Sequence, residues 1–145
     1  YKEFVTSDIN KSLLHGHTYT ANPIACEAAL GSIELFKINN TLQKICNLEK
    51  VHKRCLNIIE SKLNVSKLRQ LGSIAAFDVN EVEKDYGSRE STQLKNKFLE
   101  NGLLLRPIGN TIYLMPPYCI SEEKLILSYE KITEILKWEC SFELN

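Results

Sequence analysis

The residues best suited to chemistry lie near the start of the chain, in the run H-G-H-T-Y-T-A-N-P. Thr18 and Thr20 offer hydroxyl groups, and Gly16 lets the backbone approach a ligand closely. Asn22 is a favourable N-cap and Pro23 suits the first position of a helix, so a helix is predicted to begin here. Hydroxyls and free N–H groups beside a helix N-terminus suit an anion, most often a phosphate. The same spacing fits a plain structural turn, and the residues alone leave both interpretations open.

Arg106 is the second residue whose position suggests chemistry. It ends an apolar run and directly precedes a P-I-G turn. Strand-like alternation puts it on the same face as Leu104, opposite Leu103 and Leu105. A guanidinium matches a carboxylate through two parallel hydrogen bonds. Three interpretations remain open, namely an exposed corner arginine, a structural ion pair and a binding site for the carboxylate of a ligand.

The histidines and cysteines give weaker signals. His15 and His17 form an H-x-H pattern without a visible third ligand, so no metal site is predicted. His52 falls on the inner face of a predicted helix and is interpreted as a core or interface histidine. The five cysteines are odd in number and lack a C-x-x-C pair, which indicates reduced, mostly buried thiols in a cytoplasmic protein. No P-loop, nucleophile elbow or dinucleotide motif is present, so no catalytic residue is assigned.

The composition is that of an ordinary soluble domain, or of one domain with a piece of another. The 145 residues are 43% hydrophobic and carry 18 basic and 18 acidic side chains. This zero net charge gives no support for binding nucleic acid or an anionic membrane, and no apolar run is long enough to span a bilayer. The first residues lack a signal-peptide pattern. They also lack a methionine, which favours a fragment or a trimmed chain.

Periodicity predicts a helical protein with a small sheet. Four helices are expected, over residues 23–37, 41–63 (capped by Thr41), 90–101 and from Ser121 onwards. Three strands are expected, over residues 71–79, 103–106 and 111–115, with the last two forming a hairpin. A short strand near residues 13–15 and a loop over 80–90 complete the prediction. The order indicates an α/β or α+β domain whose largely antiparallel sheet is covered by helices. The small-residue face of the first helix predicts tight packing against a neighbour.

Two stretches together resemble the class III pyridoxal-phosphate-dependent aminotransferases. They are H-G-H-T-Y-T-A-N-P-I-A-C-E-A-A-L, at residues 15–30, and L-R-P-I-G-N-T-I-Y-L-M-P-P-Y, at residues 105–118. The first is shared by much of the class, and the second is specific to one branch. The resemblance covers essentially the whole chain. It implies the C-terminal part of an α/β fold-type-I transferase, with residues 1–38 as the tail of the large cofactor-binding domain and residues 39–145 as the small domain.

The resemblance also implies roles for single residues. Thr18, with the backbone of His17 beside it, would contact the phosphate of pyridoxal 5'-phosphate in the partner subunit of a homodimer. Gly16 matches a glycine near the substrate. Arg106 matches the arginine that binds the carboxylate of a keto acid, and Tyr113 belongs to the same motif with its role left open. A relative with proline at the position of His17 would lack the backbone N–H that this chain has.

The lysine and the aspartate that bind the cofactor in the family match nothing in this chain. A transaminase needs that lysine, so the chain alone is expected to be inactive. The function implied for the complete enzyme is amino transfer between small molecules. Two alternatives stay open, namely a class III aminotransferase that acts on ω-amino acids and a non-catalytic remnant or interaction domain.

Overall fold

The structure is a computed structural model, and it describes residues 5, 7, 8, 11, 16–18, 20–79 and 89–142, with side chains up to residue 137. The chain separates into two compact units, Tyr1–Asn39 and Asn40–Asn145. The strand expected near residues 13–15 and most of the loop expected over 80–90 lie outside the described residues.

The described residues of the first unit form one helix, α1, over Pro23–Ile38. Its bounds match the prediction, since Asn22 caps it and Pro23 begins it. None of its residues is buried, and large apolar side chains such as Ile24 and Ile38 are 81% and 70% exposed. The tight packing expected from its small face is therefore not present among the described residues. A helix that is apolar on most sides is normally buried, so α1 has the character of a helix that another surface covers.

In the second unit, the residues that the structure describes form three helices and one sheet. In chain order the elements are α2 (Thr41–Lys62), β1 (Val65–Leu71), β2 (Ile74–Val79), α3 (Arg89–Glu100), β3 (Thr111–Leu114) and α4 (Glu122–Phe142). The strands are antiparallel and lie in the order β1-β2-β3. One face of the sheet packs with all three helices around large buried side chains, chiefly Ile59, Phe77, Phe98, Ile112, Leu125, Ile132 and Leu136. Helices thus cover one face of a small antiparallel sheet, as predicted.

The sheet begins earlier than the sequence pattern indicated. The predicted strand over residues 71–79 is in fact the second arm of a hairpin whose first arm is β1, and the turn lies at Gly72 and Ser73. Strand β1 was missed because it breaks the alternation of a strand. Lys67 has a φ of 49°, and the register shifts between Ser66 and Arg69, which marks a β-bulge. The bulge lets Val65 and Leu68, three residues apart, pack against the same core.

The strand predicted over residues 103–106 is wrong. No ladder forms there, and pairing begins only at Ile108, whose N–H and carbonyl both bond to Thr111, at 2.9 and 3.0 Å. The N–H of Leu105 bonds to the carbonyl of Leu103 at 3.0 Å, and Pro107 has no N–H to donate. These two features remove the donors that a strand would need.

Helix boundaries in this unit largely follow the predicted capping. Ser121 accepts the N–H of Lys124 at 3.3 Å before α4, and Gly102 has a φ of 76° after α3. The exception is Thr41, which was predicted as a cap but is the buried first residue of α2. Asn40 occupies the cap position with a φ of 48° and no side-chain hydrogen bond to the helix.

Gly72 provides a test of the first hairpin. Its φ is 57°, and an added Cβ would lie 3.0 Å from Cγ2 of Ile45. Gly72→Ala is expected to lower the free energy of unfolding by about 1–2 kcal/mol, because an L residue is strained at this φ and Ile45 must move. Urea denaturation measures the change. The matched control is Gly31→Ala in α1, where no atom lies within 4 Å and no loss is expected. Equal losses at both positions would contradict this explanation.

Candidate functional site

The candidate anion site is a closed turn over residues 17–20. The N–H of Thr20 donates to the carbonyl of His17 at 2.9 Å, and the N–H of His17 donates to Oγ1 of Thr20 at 2.6 Å. The hydroxyl oxygen of Thr20 is therefore an internal acceptor of the turn. Thr18 lies inside this turn and is exposed. Of the two hydroxyls, that of Thr18 is the better placed for a ligand.

The first turn of α1 offers a ligand no free N–H groups, because the cap predicted at Asn22 occupies them. Oδ1 of Asn22 accepts from the N–H of Ile24 at 3.0 Å and from that of Ala25 at 3.1 Å. Pro23 has no N–H, so the first turn of the helix is satisfied by its own cap. The helix can still contribute the positive end of its dipole. An anion at this place would depend on the hydroxyl of Thr18 and on the backbone that precedes the helix.

Gly16 and His17 are both exposed. No atom lies within 4 Å of a Cβ built at Gly16, so nothing in the described part of the unit requires a glycine there. The backbone N–H of His17 is used by Thr20, and a proline could not make this bond. His15 lies outside the described residues, and those that are described contain no group of three His, Cys, Asp or Glu side chains able to hold a metal ion.

Arg106 lies in a short segment that is fixed at its start by the end of α3. The N–H groups of Gly102 and Leu103 bond to the carbonyls of Leu99 and Phe98, at 2.9 and 2.8 Å. This pattern is a Schellman motif, in which glycine takes the positive φ. The segment therefore leaves the helix in a defined direction.

The segment is also fixed on both sides of Arg106 by burial. Leu103 and Leu105 pack partly buried against the core, while Leu104 is 87% exposed. Arg106 is exposed and the following Pro107 is buried. The alternation predicted for these residues is thus present although the strand is not. The backbone that carries Arg106 is thus fixed while the residue itself is exposed, and a guanidinium can bind a carboxylate through two hydrogen bonds.

Tyr113 lies on β3, in register with Ala76 of β2, and is half-buried. It shares a face of the sheet with Ala76, and this face is opposite to the one that carries Phe77 and Ile112. The structure gives Tyr113 this place and assigns it no ligand.

A buried polar cluster in the core was not predicted from the sequence. Nδ1 of His52 lies 2.7 Å from the hydroxyl of Tyr129, and Nε2 lies 3.1 Å from the carbonyl of Ser73. A carbonyl only accepts, so Nε2 carries the proton and Nδ1 accepts from Tyr129. Burial lowers the pKa of His52, although the bond to Ser73 opposes this, and burial raises the pKa of Tyr129. His52 is therefore a core histidine, one of the two roles predicted for it.

The prediction of mostly buried thiols is wrong for the described cysteines. Cys55 is buried, whereas Cys26, Cys46 and Cys119 are exposed, and all four are free. Burial raises the pKa of the Cys55 thiol, with a smaller opposing effect from Arg54. Within the described ranges, no helix combines the length and the apolar character needed to cross a membrane.

The fold and the two motifs are those of the class-III aminotransferase family. The model of the class-III aminotransferase family matches residues 2–136, and the chain belongs to this family. The adenosylmethionine-8-amino-7-oxononanoate aminotransferase of Helicobacter pylori is 38% identical over 131 residues, 88% of this chain and 29% of that protein. The enzyme of the same name from Synechococcus elongatus is 34% identical over 136 residues, 94% of this chain and 32% of that protein.

A solved structure agrees with these relatives. The crystal structure of adenosylmethionine-8-amino-7-oxononanoate aminotransferase from Methanocaldococcus jannaschii superposes with a TM-score of 0.76 at 32% identity, over 88% of this chain and 30% of that one. The predicted fold, part of an α/β fold-type-I transferase, is thereby confirmed. The chain spans about 30% of the length of the relatives that it matches.

Proposed function

We propose that the enzyme containing this chain transfers the amino group of S-adenosylmethionine to 8-amino-7-oxononanoate, giving 7,8-diaminononanoate in biotin biosynthesis. Two relatives named adenosylmethionine-8-amino-7-oxononanoate aminotransferase match most of the chain at 34% and 38% identity. The observation that carries the proposal is the exposed position of Arg106 on a segment fixed at both ends. It suits an acceptor whose carboxylate lies far from its reacting ketone.

In this proposal Arg106 binds and orients the keto acid. Its fork of N–H donors would hold the carboxylate through two hydrogen bonds and so fix one end of a flexible aliphatic chain. Fixing that end limits the positions that the ketone at the other end can reach. Gly16 would lie near the substrate, where the absence of a side chain leaves room for close approach. This chain supplies no residue to the bond-breaking steps themselves.

The same proposal gives the turn over residues 17–20 a role in holding pyridoxal 5'-phosphate, which acts as an electron sink for amino transfer when bound. The exposed hydroxyl of Thr18 fits a phosphate oxygen, and the backbone of His17 lies beside it. The contact would be made to the cofactor of the partner subunit in a homodimer. Residues 1–38 would then belong to the large domain and residues 39–145 to the small domain of a cytoplasmic enzyme.

A donor and acceptor assay tests this function. The intact enzyme is incubated with cofactor and 8-amino-7-oxononanoate, and 7,8-diaminononanoate is measured by mass spectrometry. Product is expected with S-adenosylmethionine as donor. Product with an ω-amino acid, and none with S-adenosylmethionine, would favour another class III aminotransferase. Absence of amino transfer with every donor would favour a non-catalytic domain.

Thr18→Val tests the turn in the intact enzyme. The variant keeps the shape of the side chain and loses the hydroxyl, so the Kd for pyridoxal 5'-phosphate is expected to rise about 10-fold, since a hydrogen bond to a charged group contributes about 1.5 kcal/mol or more. Thr18→Ser keeps the hydroxyl and is expected to bind like the parent enzyme. Fluorescence titration with the cofactor measures both. Unchanged affinity in Thr18→Val would remove Thr18 from the site.

A further inference from the structure

The sheet carries a buried carboxylate on the face that points away from the helices. Asp78 lies on β2 and is 4% exposed, and its neighbours Phe77 and Val79 face the core. Its register partners are Ser66 on β1 and Thr111 on β3. Burying a carboxylate costs free energy unless charged or hydrogen-bonding groups surround it, so Asp78 must have such partners.

Three side chains from the two neighbouring strands bind this carboxylate. Thr111 donates its hydroxyl to Oδ1 at 2.8 Å, Arg69 donates Nη1 to the same oxygen at 3.2 Å, and Nζ of Lys67 lies 3.2 Å from Oδ2. Burial alone would raise the pKa of Asp78, but these three partners outweigh it and leave the pKa below its ordinary value. The carboxylate is therefore held in its charged form.

The bulge in β1 makes this arrangement possible. Lys67 takes a left-handed conformation, and Nη1 of Arg69 donates to its carbonyl at 2.6 Å. In a regular strand Lys67 and Arg69 would lie on the same face as Val65, which packs against the core. The bulge moves both cations to the opposite face, where Asp78 lies, and lets Leu68 pack against the core. The backbone of β1 is thus deformed in a way that supplies two charges to one carboxylate.

The network leads directly to the segment that carries Arg106. Thr111 pairs with Ile108 through two backbone hydrogen bonds, and the N–H of Val79 donates to the carbonyl of Asn110 at 2.9 Å. Between Ile108 and Arg106 lies only the buried Pro107, whose ring fixes φ. The turn that follows Arg106 is therefore tied to β2 at two adjacent points, and one of them is the carboxylate of Asp78.

We infer that Asp78, acting through Thr111, is a positioning residue that fixes the backbone of Arg106 for recognition of the substrate carboxylate. The inference rests on the proposed role of Arg106. Asp78 is buried, whereas Lys67 is 66% and Arg69 49% exposed, so these ion pairs contribute little net stability. Their role in this scheme is to hold the carboxylate, and through it Thr111, in one place. Asp78 touches no substrate in this scheme, and its effect reaches the substrate only through the placement of Arg106.

The test is a double-mutant cycle in the intact enzyme with S-adenosylmethionine and 8-amino-7-oxononanoate. Thr111→Val and Asp78→Asn are each expected to raise KM for the keto acid about 10-fold, with kcat and KM for the amino donor within about 2-fold of the parent. Thr111→Ser, which restores the hydroxyl, is expected to recover the parental KM. In an Arg106→Ala background neither change is expected to raise KM further, because both act through the same side chain.

Thr133→Val is the matched control. Thr133 is a buried threonine of the same unit, whereas Thr111 is half-buried, and the hydroxyl of Thr133 bonds back to the carbonyl of Tyr129 within α4, at 2.8 Å. Its loss is expected to leave KM for the keto acid unchanged. If Asp78→Asn does not fold, Thr111→Val and Thr111→Ser decide the question alone.

Two failures are distinguishable. A normal KM in Thr111→Val, or an equal further rise in the Arg106→Ala background, would overturn the positioning role and leave the role of Arg106 intact. A parent enzyme whose KM does not respond to Arg106→Ala would overturn the proposed function and this inference together.

Discussion

Arg106→Ala is expected to raise KM for 8-amino-7-oxononanoate about 100-fold in the intact enzyme, since removing one partner of a charge pair costs about 2–5 kcal/mol. The affinity for pyridoxal 5'-phosphate and KM for S-adenosylmethionine are expected to stay within about 2-fold, because the proposed role of the guanidinium is to bind the keto acid and neither of these two molecules. Arg106→Lys keeps the charge and loses the planar fork, so an intermediate loss is expected. Steady-state kinetics with each substrate varied in turn measures all three values.

Arg54→Ala is the matched control for this experiment. Arg54 lies on α2 in the same unit and pairs with Glu122 at 2.5 Å, with both side chains more than half exposed. An exposed ion pair contributes less than about 1 kcal/mol to stability, so normal kinetics are expected. An equal loss of affinity for keto acid and cofactor in Arg106→Ala would count against the assigned role, because it would indicate a disturbed fold.

His52→Ala is expected to lower the free energy of unfolding by about 3 kcal/mol, as a core cavity is created and the hydroxyl of Tyr129 loses its acceptor. His52 is 0% exposed and joins α2 to Ser73 and to α4. Tyr129→Phe removes only the hydroxyl and is expected to cost less, about 1–2 kcal/mol. Denaturant titration of the chain measures both. If His52→Ala lowers the free energy of unfolding by less than Gly72→Ala does, His52 and Tyr129 do not have a central role in the stability of the core.

The same cluster predicts a pH dependence of stability. The pKa of His52 in the folded chain lies below its ordinary value of 6.5, chiefly because burial disfavours the charged ring. Below pH 6.5 the unfolded chain therefore binds more protons at this site than the folded chain. The contribution of His52 to the free energy of unfolding is complete above pH 6.5. It is lost as the pH falls towards and through the pKa of His52 in the folded chain. The difference in stability between the parent and His52→Gln should shrink as the pH falls from 7 to 5, and a constant difference would contradict the assignment.

The helices were predictable because their signals are local. Asn22 and Pro23 begin α1, Ser121 caps α4, and Gly102 ends α3, each through contacts with residues only a few positions away. The strands were less predictable because their pairing depends on distant residues. Strand β1 is polar and bulged at Lys67, so its alternation fails until β2 supplies the register.

The candidate site divides in the same way. Thr18 and Arg106 were identified from short motifs, and both side chains are exposed on local structures that the sequence encodes. Asp78 gave no signal, because its partners Lys67 and Thr111 come from two other strands, and one of them depends on an unpredicted bulge. The cap predicted at Asn22 is confirmed, and it occupies the N–H groups of Ile24 and Ala25 that an anion beside α1 would need. A good cap and an open anion site compete for the same donors.

The most direct test compares 8-amino-7-oxononanoate with its methyl ester in the parent enzyme and in Arg106→Ala. The ester removes the negative charge from the substrate, as the substitution removes the positive charge from the protein. If the two groups recognise each other, the parent enzyme should prefer the free acid about 100-fold in kcat/KM and the variant should show almost no preference. The same preference for the free acid in the parent enzyme and in Arg106→Ala would contradict the account, since another group would then bind the carboxylate.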